Sequence, residues 1–212
     1  FGLFGQTNPD LVLVPNGLVT ELAVFYNVAT HLGKKTITYE FNDQREQIWL
    51  SHADVVMNQN TDELWVKTKN TPLTDDQAKQ ISDFENARSS AKKYGKGTRF
   101  WQDVASVGGQ AQRKALGLDA RPVVLLATNV LGDSLTLGRN LFTESMAEWI
   151  SKTVKYYSEH PEAQLVIRIH PGERLMKGPS SIDVIKKTLK TIPENIKIIS
   201  PLEKVNTYDL ME

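Results

Sequence analysis

Cysteine is absent from the chain, which excludes disulfides and thiolate-bound metals and fits a reducing compartment. No charge of one sign prevails: 25 Lys and Arg stand against 25 Asp and Glu, so nothing pulls the whole molecule toward nucleic acid or acidic lipid. Long apolar runs are missing too. The longest, such as Val123 to Ala127, fall far short of the roughly 20 residues that a membrane span requires. His31, His52 and His160 are scattered without the paired spacing of a metal site, and read as surface or capping residues. There is no secretory leader pattern, but the chain opens on Phe1 rather than Met. It therefore reads as a piece of a longer protein, for which a missing leader carries little weight. Repeats and low-complexity tracts are also lacking.

What is present is the composition of a globular protein, 212 residues with 40% hydrophobic content, enough for one large domain or two small ones. Asp10 to Val14 followed by Pro15-Asn16-Gly17 predicts a strand and a tight turn, with Asn16 capping a helix that runs to about Leu32. Leu18, Leu22, Phe25 and Ala29 give that helix an apolar face, and Gly33 supplies a left-handed stop. Lys35 to Phe41 reads as a strand, Asp43 to Leu50 as a helix-capable segment, and Ala53 to Met57 as a further short strand. This order predicts three parallel strands with right-handed crossovers. Thr74-Asp75-Asp76-Gln77 has the form of a capping box, with Ala78, Ile81, Phe84 and Arg88 continuing at helical spacing toward Gly95. Gly95-Lys96-Gly97 and Gly108-Gly109 then bracket a mixed stretch carrying Phe100 and Trp101. Residues 1–70 thus form one α/β block and residues 71–119 a helical connector.

A second α/β block occupies residues 120–212. Pro122 to Ala127 is a buried strand by composition, followed by the loop Thr128 to Ser134. Phe142, Met146, Trp149, Ile150, Val154 and Tyr157 make the apolar stripe of the next helix, which ends before His160-Pro161. Leu165 to Ile169 is a second buried strand. Ser180 with Asp183 marks a capped helix, Ile196 to Ile199 a third strand, and Asn206-Thr207 the cap of a further helix. Three strands fall below the about four to six of a usual sheet, so the second block reads as incomplete. The fold class is α/β, with two Rossmann-like parallel-sheet blocks.

Ligands of open α/β sheets bind beyond the carboxyl ends of the strands. His170-Pro171-Gly172-Glu173 lies at such a place, with Arg168 two residues upstream on the same face by alternation, so that ring and guanidinium can converge on one anion. The plainer alternative is a loop histidine satisfied by a neighbouring helix, plus a surface Glu. Asn129, Asp133 and Ser134 occupy the first strand-to-helix loop of the same block, where they can hydrogen-bond a hydroxylated ligand or simply build a turn and cap. That loop has too few glycines for a dinucleotide fingerprint or a Walker loop. In the first block Glu21 and Glu40 lie near the corresponding position, as general-base candidates or as members of surface ion pairs. Trp49, Trp65, Trp101 and Trp149 read as core rather than as a stacking platform.

Leu13-Val14-Pro15-Asn16-Gly17 with Glu21, Thr38-Tyr39-Glu40-Phe41, Leu116-Gly117-Leu118-Asp119, Ala127-Thr128-Asn129-Val130 with Asp133, Trp149, and Arg168 to Glu173 occur in an order that resembles bacterial capsule polysaccharide biosynthesis proteins of GT-B glycosyltransferase type. The resemblance runs over nearly the whole chain, on short motifs. It implies a transferase that moves a sugar from a nucleotide-sugar donor to a growing capsule or surface polysaccharide, or to a glycolipid, with no separate cofactor and no metal. The expected location is the cytoplasm or the inner face of the membrane, in company with capsule-assembly proteins. His170 and Pro171 would meet the donor, with Gly172, Glu173 and Arg168 in support. The family continues beyond the region matching Asn206 to Leu210, so the resemblance also implies a donor pocket with one open wall and a weak or inactive catalyst. Two other readings stay open: a non-catalytic polysaccharide- or partner-binding module of the same fold, and a sugar-nucleotide epimerase.

Overall fold

β-Branched runs separated by turn residues lay down two three-stranded sheets. The computed structural model describes residues 2–41, 47–52, 54–90 and 104–212, with the backbone alone at Arg88. Two units divide the chain, Phe1–Glu85 with Lys93–Thr98 and Asn86–Lys92 with Arg99–Glu212. Among the described residues no helix is long and apolar enough to cross a membrane.

The first unit contains α1 (Gly2–Thr7), β1 (Leu11–Pro15), α2 (Thr20–His31), β2 (Lys35–Phe41), β3 (Ile48–His52) and α3 (Asp62–Thr68), and α4 (Asp75–Ser89) begins in it. β1 and β2 pair in parallel across α2, as expected. The third strand differs from expectation: it is β3, antiparallel to β2, with Phe41 opposite Ile48. Its physical reason is length, because the stretch from Phe41 to Ile48 is too short for the dozen or so residues of a parallel crossover and long enough for a hairpin. Hence Ile48 to Leu50 are strand rather than helix. Val56–Asn58 form a 3₁₀ turn rather than a strand, and Val55, Val56 and Met57 make a small buried cluster against Leu18 and Tyr26. Asp43 and Ala53 lie outside the described residues.

Strand alternation gives this sheet two unlike faces. Val14, Thr36 and Thr38 are buried on one, where Thr38 Oγ1 donates to Asp54 O and accepts the Val56 N–H at 2.7 Å. The registers place Leu11, Leu13, Phe41, Ile48 and Leu50 together on the other, each between 46% and 63% exposed. Ile37 and Tyr39 lie half-buried between them on the same face. Trp49 and Trp65 are exposed as well, against the expectation of core positions, and so is Phe25 on α2. The helix α2 buries Ala29 completely and stops at Gly33, whose φ is +67°. The capping box of α4 forms as predicted, with Gln77 N–H donating to Thr74 Oγ1 and Thr74 N–H to Gln77 Oε1. α4 ends at Ser89, short of the expected run toward Gly95, while Gly95, Phe100 and Trp101 lie outside the described residues.

In the second unit, α5 (Gly109–Ala115) is followed by β4 (Val123–Ala127), α6 (Met146–Glu159), β5 (Gln164–Arg168), α7 (Ser181–Thr188) and β6 (Ile196–Ile199). The sheet order is β4-β5-β6, all parallel. Strands laid down in sequence through right-handed crossovers put both connecting helices on one face, and α6 and α7 pack on each other. Ile150 and Val154 of α6 and Ile185 of α7 meet Leu126, Leu165, Ile167, Ile169 and Ile196 in the main core. Every residue of β5 is buried, as a central parallel strand requires. The sequence stripe errs at one end: α6 starts at Met146 because Ser145 caps it, accepting the Glu148 N–H, so Phe142 lies before the helix and is 75% exposed. The Ser180 and Asp183 capping box of α7 is complete. Asn206 caps a short 3₁₀ turn, Thr207–Leu210, rather than a longer helix. Its amide also donates to the carbonyls of Ser89 and Val104, while Asp209 accepts from Ser106 Oγ and Val107 N–H, which ties this end of the unit together.

Candidate functional site

The carboxyl ends of β4, β5 and β6 are joined by a short series of hydrogen bonds. Thr128 N–H donates to Arg168 O and Ile169 N–H to Ile199 O, each at 3.0 Å. One step further the donor His170 N–H finds the Thr128 hydroxyl, also at 3.0 Å, rather than a carbonyl. A side-chain acceptor there continues the ladder for one residue while freeing the backbone after Thr128 to turn away from the sheet. Thr128 is 5% exposed, so the bond is shielded from competing water.

His170 then caps the 3₁₀ turn Pro171–Leu175. Its Nδ1 accepts the Gly172 N–H at 3.0 Å, which leaves Nε2 as the nitrogen that carries the proton in the neutral ring. Gly172 is required by space. A Cβ at that position would stand 2.8 Å from His170 Nδ1 and 3.3 Å from Val130 Cγ2, closer than side chains tolerate. The same contacts show that the loop after β4 and the turn after β5 lie side by side.

Arg168 is 4% exposed, and its Nη1 donates to Ser200 O beyond β6. Among the described residues, its Nε is the one buried side-chain polar atom without a partner. Burial pulls the guanidinium pKa below its ordinary value, partly offset by the Glu203 carboxylate; Arg remains a cation throughout. Glu173 is buried and turned to α7, accepting the Ser181 N–H and hydroxyl. A carboxylate at the first residues of a helix satisfies amide groups that lack intrahelical partners, so Glu173 fixes the path from the histidine turn into α7.

Of the loop residues, Asn129 Oδ1 accepts the Val130 N–H at 2.8 Å and Asp133 Oδ1 accepts the Leu135 N–H at 2.8 Å, capping the 3₁₀ turn Ser134–Thr136. Asp133 thus caps the turn that Ser134 opens. Asn129 does more. It lines a cleft of about 300 Å³ between the end of β4, the loop 135–143 and the first turn of α6, together with Arg139, Asn140, Phe142, Thr143 and Trp149. Spacing alone shows neither the bond from His170 N–H to the Thr128 hydroxyl nor this cleft. A β-branched hydroxyl directly after a buried strand was the available signal for Thr128. Phe142 and Trp149 shared one helical period in sequence, which hid that one precedes the helix.

In the first unit the turn after β1 is left-handed at both Asn16 (φ +61°) and Gly17 (φ +86°). A Cβ on Gly17 would approach Thr38 Cγ2 to 3.0 Å and Val55 Cγ1 to 3.1 Å. Asn16 Oδ1 accepts the Leu18 and Val19 N–H groups just ahead of α2, and its Nδ2 donates to Glu40 Oε2 at 3.2 Å. The other Glu40 oxygen accepts the Phe41 N–H. The turn thus joins Asn16 to Glu40, whereas Glu21 is exposed on the first turn of α2, where a carboxylate suits the helix dipole.

Fold and site together define a mixed α/β protein with two three-stranded sheets, the second wholly parallel and carrying a fixed histidine and a buried arginine at its strand ends. No family model matches the sequence, and no curated protein matches it significantly.

Proposed function

We propose that the chain is a nucleotide-sugar-dependent glycosyltransferase of capsule or surface-polysaccharide assembly, of GT-B type, working in the cytoplasm or at the inner face of the membrane. The observation that supports this reading best is the His170 fixture. Thr128 holds its backbone, Gly172 holds Nδ1, and the ring is presented at the carboxyl end of the central parallel strand. In the transfer, an acceptor hydroxyl oxygen bonds to the anomeric carbon while the bond from that carbon to the donor phosphate breaks, and the nucleotide leaves with the electron pair. A proton-bearing Nε2 is a donor for the oxygen on which that charge gathers, already oriented before the reaction begins. The Arg168 cation behind it adds a positive potential that low exposure keeps from being screened. Pro171 and Gly172 shape the turn, Glu173 anchors it, and Asn129, Asp133 and Ser134 belong to the loop that lies beside it. Within the first unit Glu40 suits the role of general base better than Glu21, since Asn16 orients it and a carboxylate has about four lone-pair sites, more than its two hydrogen bonds use.

Calorimetric titration with CMP, UDP and GDP tests the reading. One nucleotide binds, and His170→Ala weakens it by roughly ten- to a hundredfold, the effect of about 1.5–3 kcal/mol for a hydrogen bond to a charged group. Equal affinity in the variant would sink the assignment. One observation favours a second reading, the non-catalytic polysaccharide- or partner-binding module: the exposed Leu11, Leu13, Phe41, Ile48 and Leu50 on one face of β1-β2-β3 are the kind of surface that a protein partner covers. On that reading no nucleotide gives heat.

A further inference from the structure

We infer that the cleft beside β4 is a saccharide subsite, which takes one pyranose ring of a glycan with no nucleotide attached. Its volume of about 300 Å³ is the lower end of the roughly 300–1,000 Å³ usual for small-molecule sites. That is room for one ring and its substituents. Trp149 gives it a rigid apolar wall, because the same side chain packs against the main core. Phe142, 75% exposed, joins from the loop as a second aromatic surface.

The polar groups around these rings have complementary valences. Asn129 Oδ1 is occupied by the Val130 N–H, so its NH₂ is the part that donates into the cleft. Asn140 is used the other way: its NH₂ donates to Glu144 O at 2.7 Å, and its Oδ1 is the part that accepts. Thr143 brings a hydroxyl that does both. Neighbouring sugar hydroxyls are each donor and acceptor at once and match such a set, while the C–H face of the ring lies on the aromatic wall. A phosphate has only acceptors to offer: it would suit the Arg139 side chain that also lines the cleft but leave Asn140 Oδ1 facing an anion, whereas sugar hydroxyls can serve both. Neither His170 nor Arg168 lines the cleft, so this site does not depend on the nucleotide reading. A glycan binds here whether it is an acceptor or the ligand of a non-catalytic module.

Saturation-transfer NMR on the 212-residue chain tests it, with methyl glycosides of glucose, galactose, N-acetylglucosamine and glucuronic acid as probes and uridine, cytidine and guanosine as the competing class. At least one glycoside receives saturation, keeps it in the presence of excess UDP, CMP or GDP, and binds about tenfold more weakly to Phe142→Ala, as loss of about 1.4 kcal/mol of aromatic contact requires. Phe142 is exposed, so its removal leaves the fold intact, and Asn129→Ala provides a second variant with the same expected direction. Saturation of nucleosides alone, displacement of the glycoside by a nucleotide, equal binding in both variants, or no binding by any glycoside would each overturn the inference.

Discussion

Gly172 has no side chain, and the place where a Cβ would stand is taken by the His170 ring, 2.8 Å from Nδ1 and 3.0 Å from Cε1. Adding one methyl group there must move the imidazole or the turn, since a flat ring held by its own cap has no flexible end to swing aside. Gly172→Ala is therefore expected to break the Gly172 N–H to Nδ1 bond while leaving the buried strands behind it intact. Long-range ¹⁵N NMR of the histidine ring reads this directly. Wild-type His170 shows a protonated Nε2 and an acceptor Nδ1, and the variant shows a mixture of tautomers. An unchanged His170 spectrum in Gly172→Ala would remove the geometric basis of the fixture. Arg168 presents the opposite case at the same scale, a polar group with too few partners rather than too little space. An orphaned buried Nε is costly by about 1–3 kcal/mol, and Arg168 carries that cost at the end of the central strand.

Elements here are held at their ends, and the ends were the legible part. Thr74 with Gln77, Ser180 with Asp183, Gly33 and the cap at Asn206 could all be named from local spacing, because a cap is a contact between residues only two to four apart. The parallel strands of the second sheet were equally plain in their β-branched runs. β3 was not, because its pairing depends on connection length rather than on its own composition, and the polar residues before it carry a helical pattern. Half of the candidate site was hidden for a related reason: Thr128 meets His170 and Val130 meets Gly172 across about 40 residues of chain. One further tie acts on the approach to β4. Arg121 holds Asp119 through Nε and Nη2 and donates its Nη1 to Pro161 O, which lowers the Asp119 pKa from 3.8 to about 2. The folded chain thus binds that proton more weakly than the unfolded chain. The stabilisation is complete above about pH 4 and is lost as pH falls toward 2. Asp119→Asn is expected to melt below wild type at pH 7, by a margin that salt reduces since the pair is partly exposed. The margin should close near pH 2; a difference constant with pH would mean that the carboxylate charge contributes nothing.

On the scale of the whole molecule the two units are unequally furnished. The second has a continuous core of fully buried side chains, including Ile150, Leu165, Ile167, Ile169 and Ile185. Among the described residues the first has the small cluster of Val55, Val56 and Met57 besides Phe4, Val14 and Ala29, and every residue of α3 is exposed. Each fully buried large aliphatic contributes about 1.5–3 kcal/mol, so amide exchange is expected to be slowest in β5 and its neighbours and fast through α3 and β3. Equal protection of the two sheets would contradict this. The bare face of Leu11, Leu13, Phe41, Ile48 and Leu50 also bears on how the purified chain behaves in a tube. With a net charge of zero and an isoelectric point near 7.1, there is little long-range repulsion at neutral pH to keep such faces apart. Static light scattering is expected to give a negative second virial coefficient near pH 7 that turns positive by pH 9, and Leu13→Lys with Leu50→Lys should bring the positive value down to neutrality. The chain would then be handled as a colloid whose solubility is set less by its stability than by five side chains on one side of one sheet.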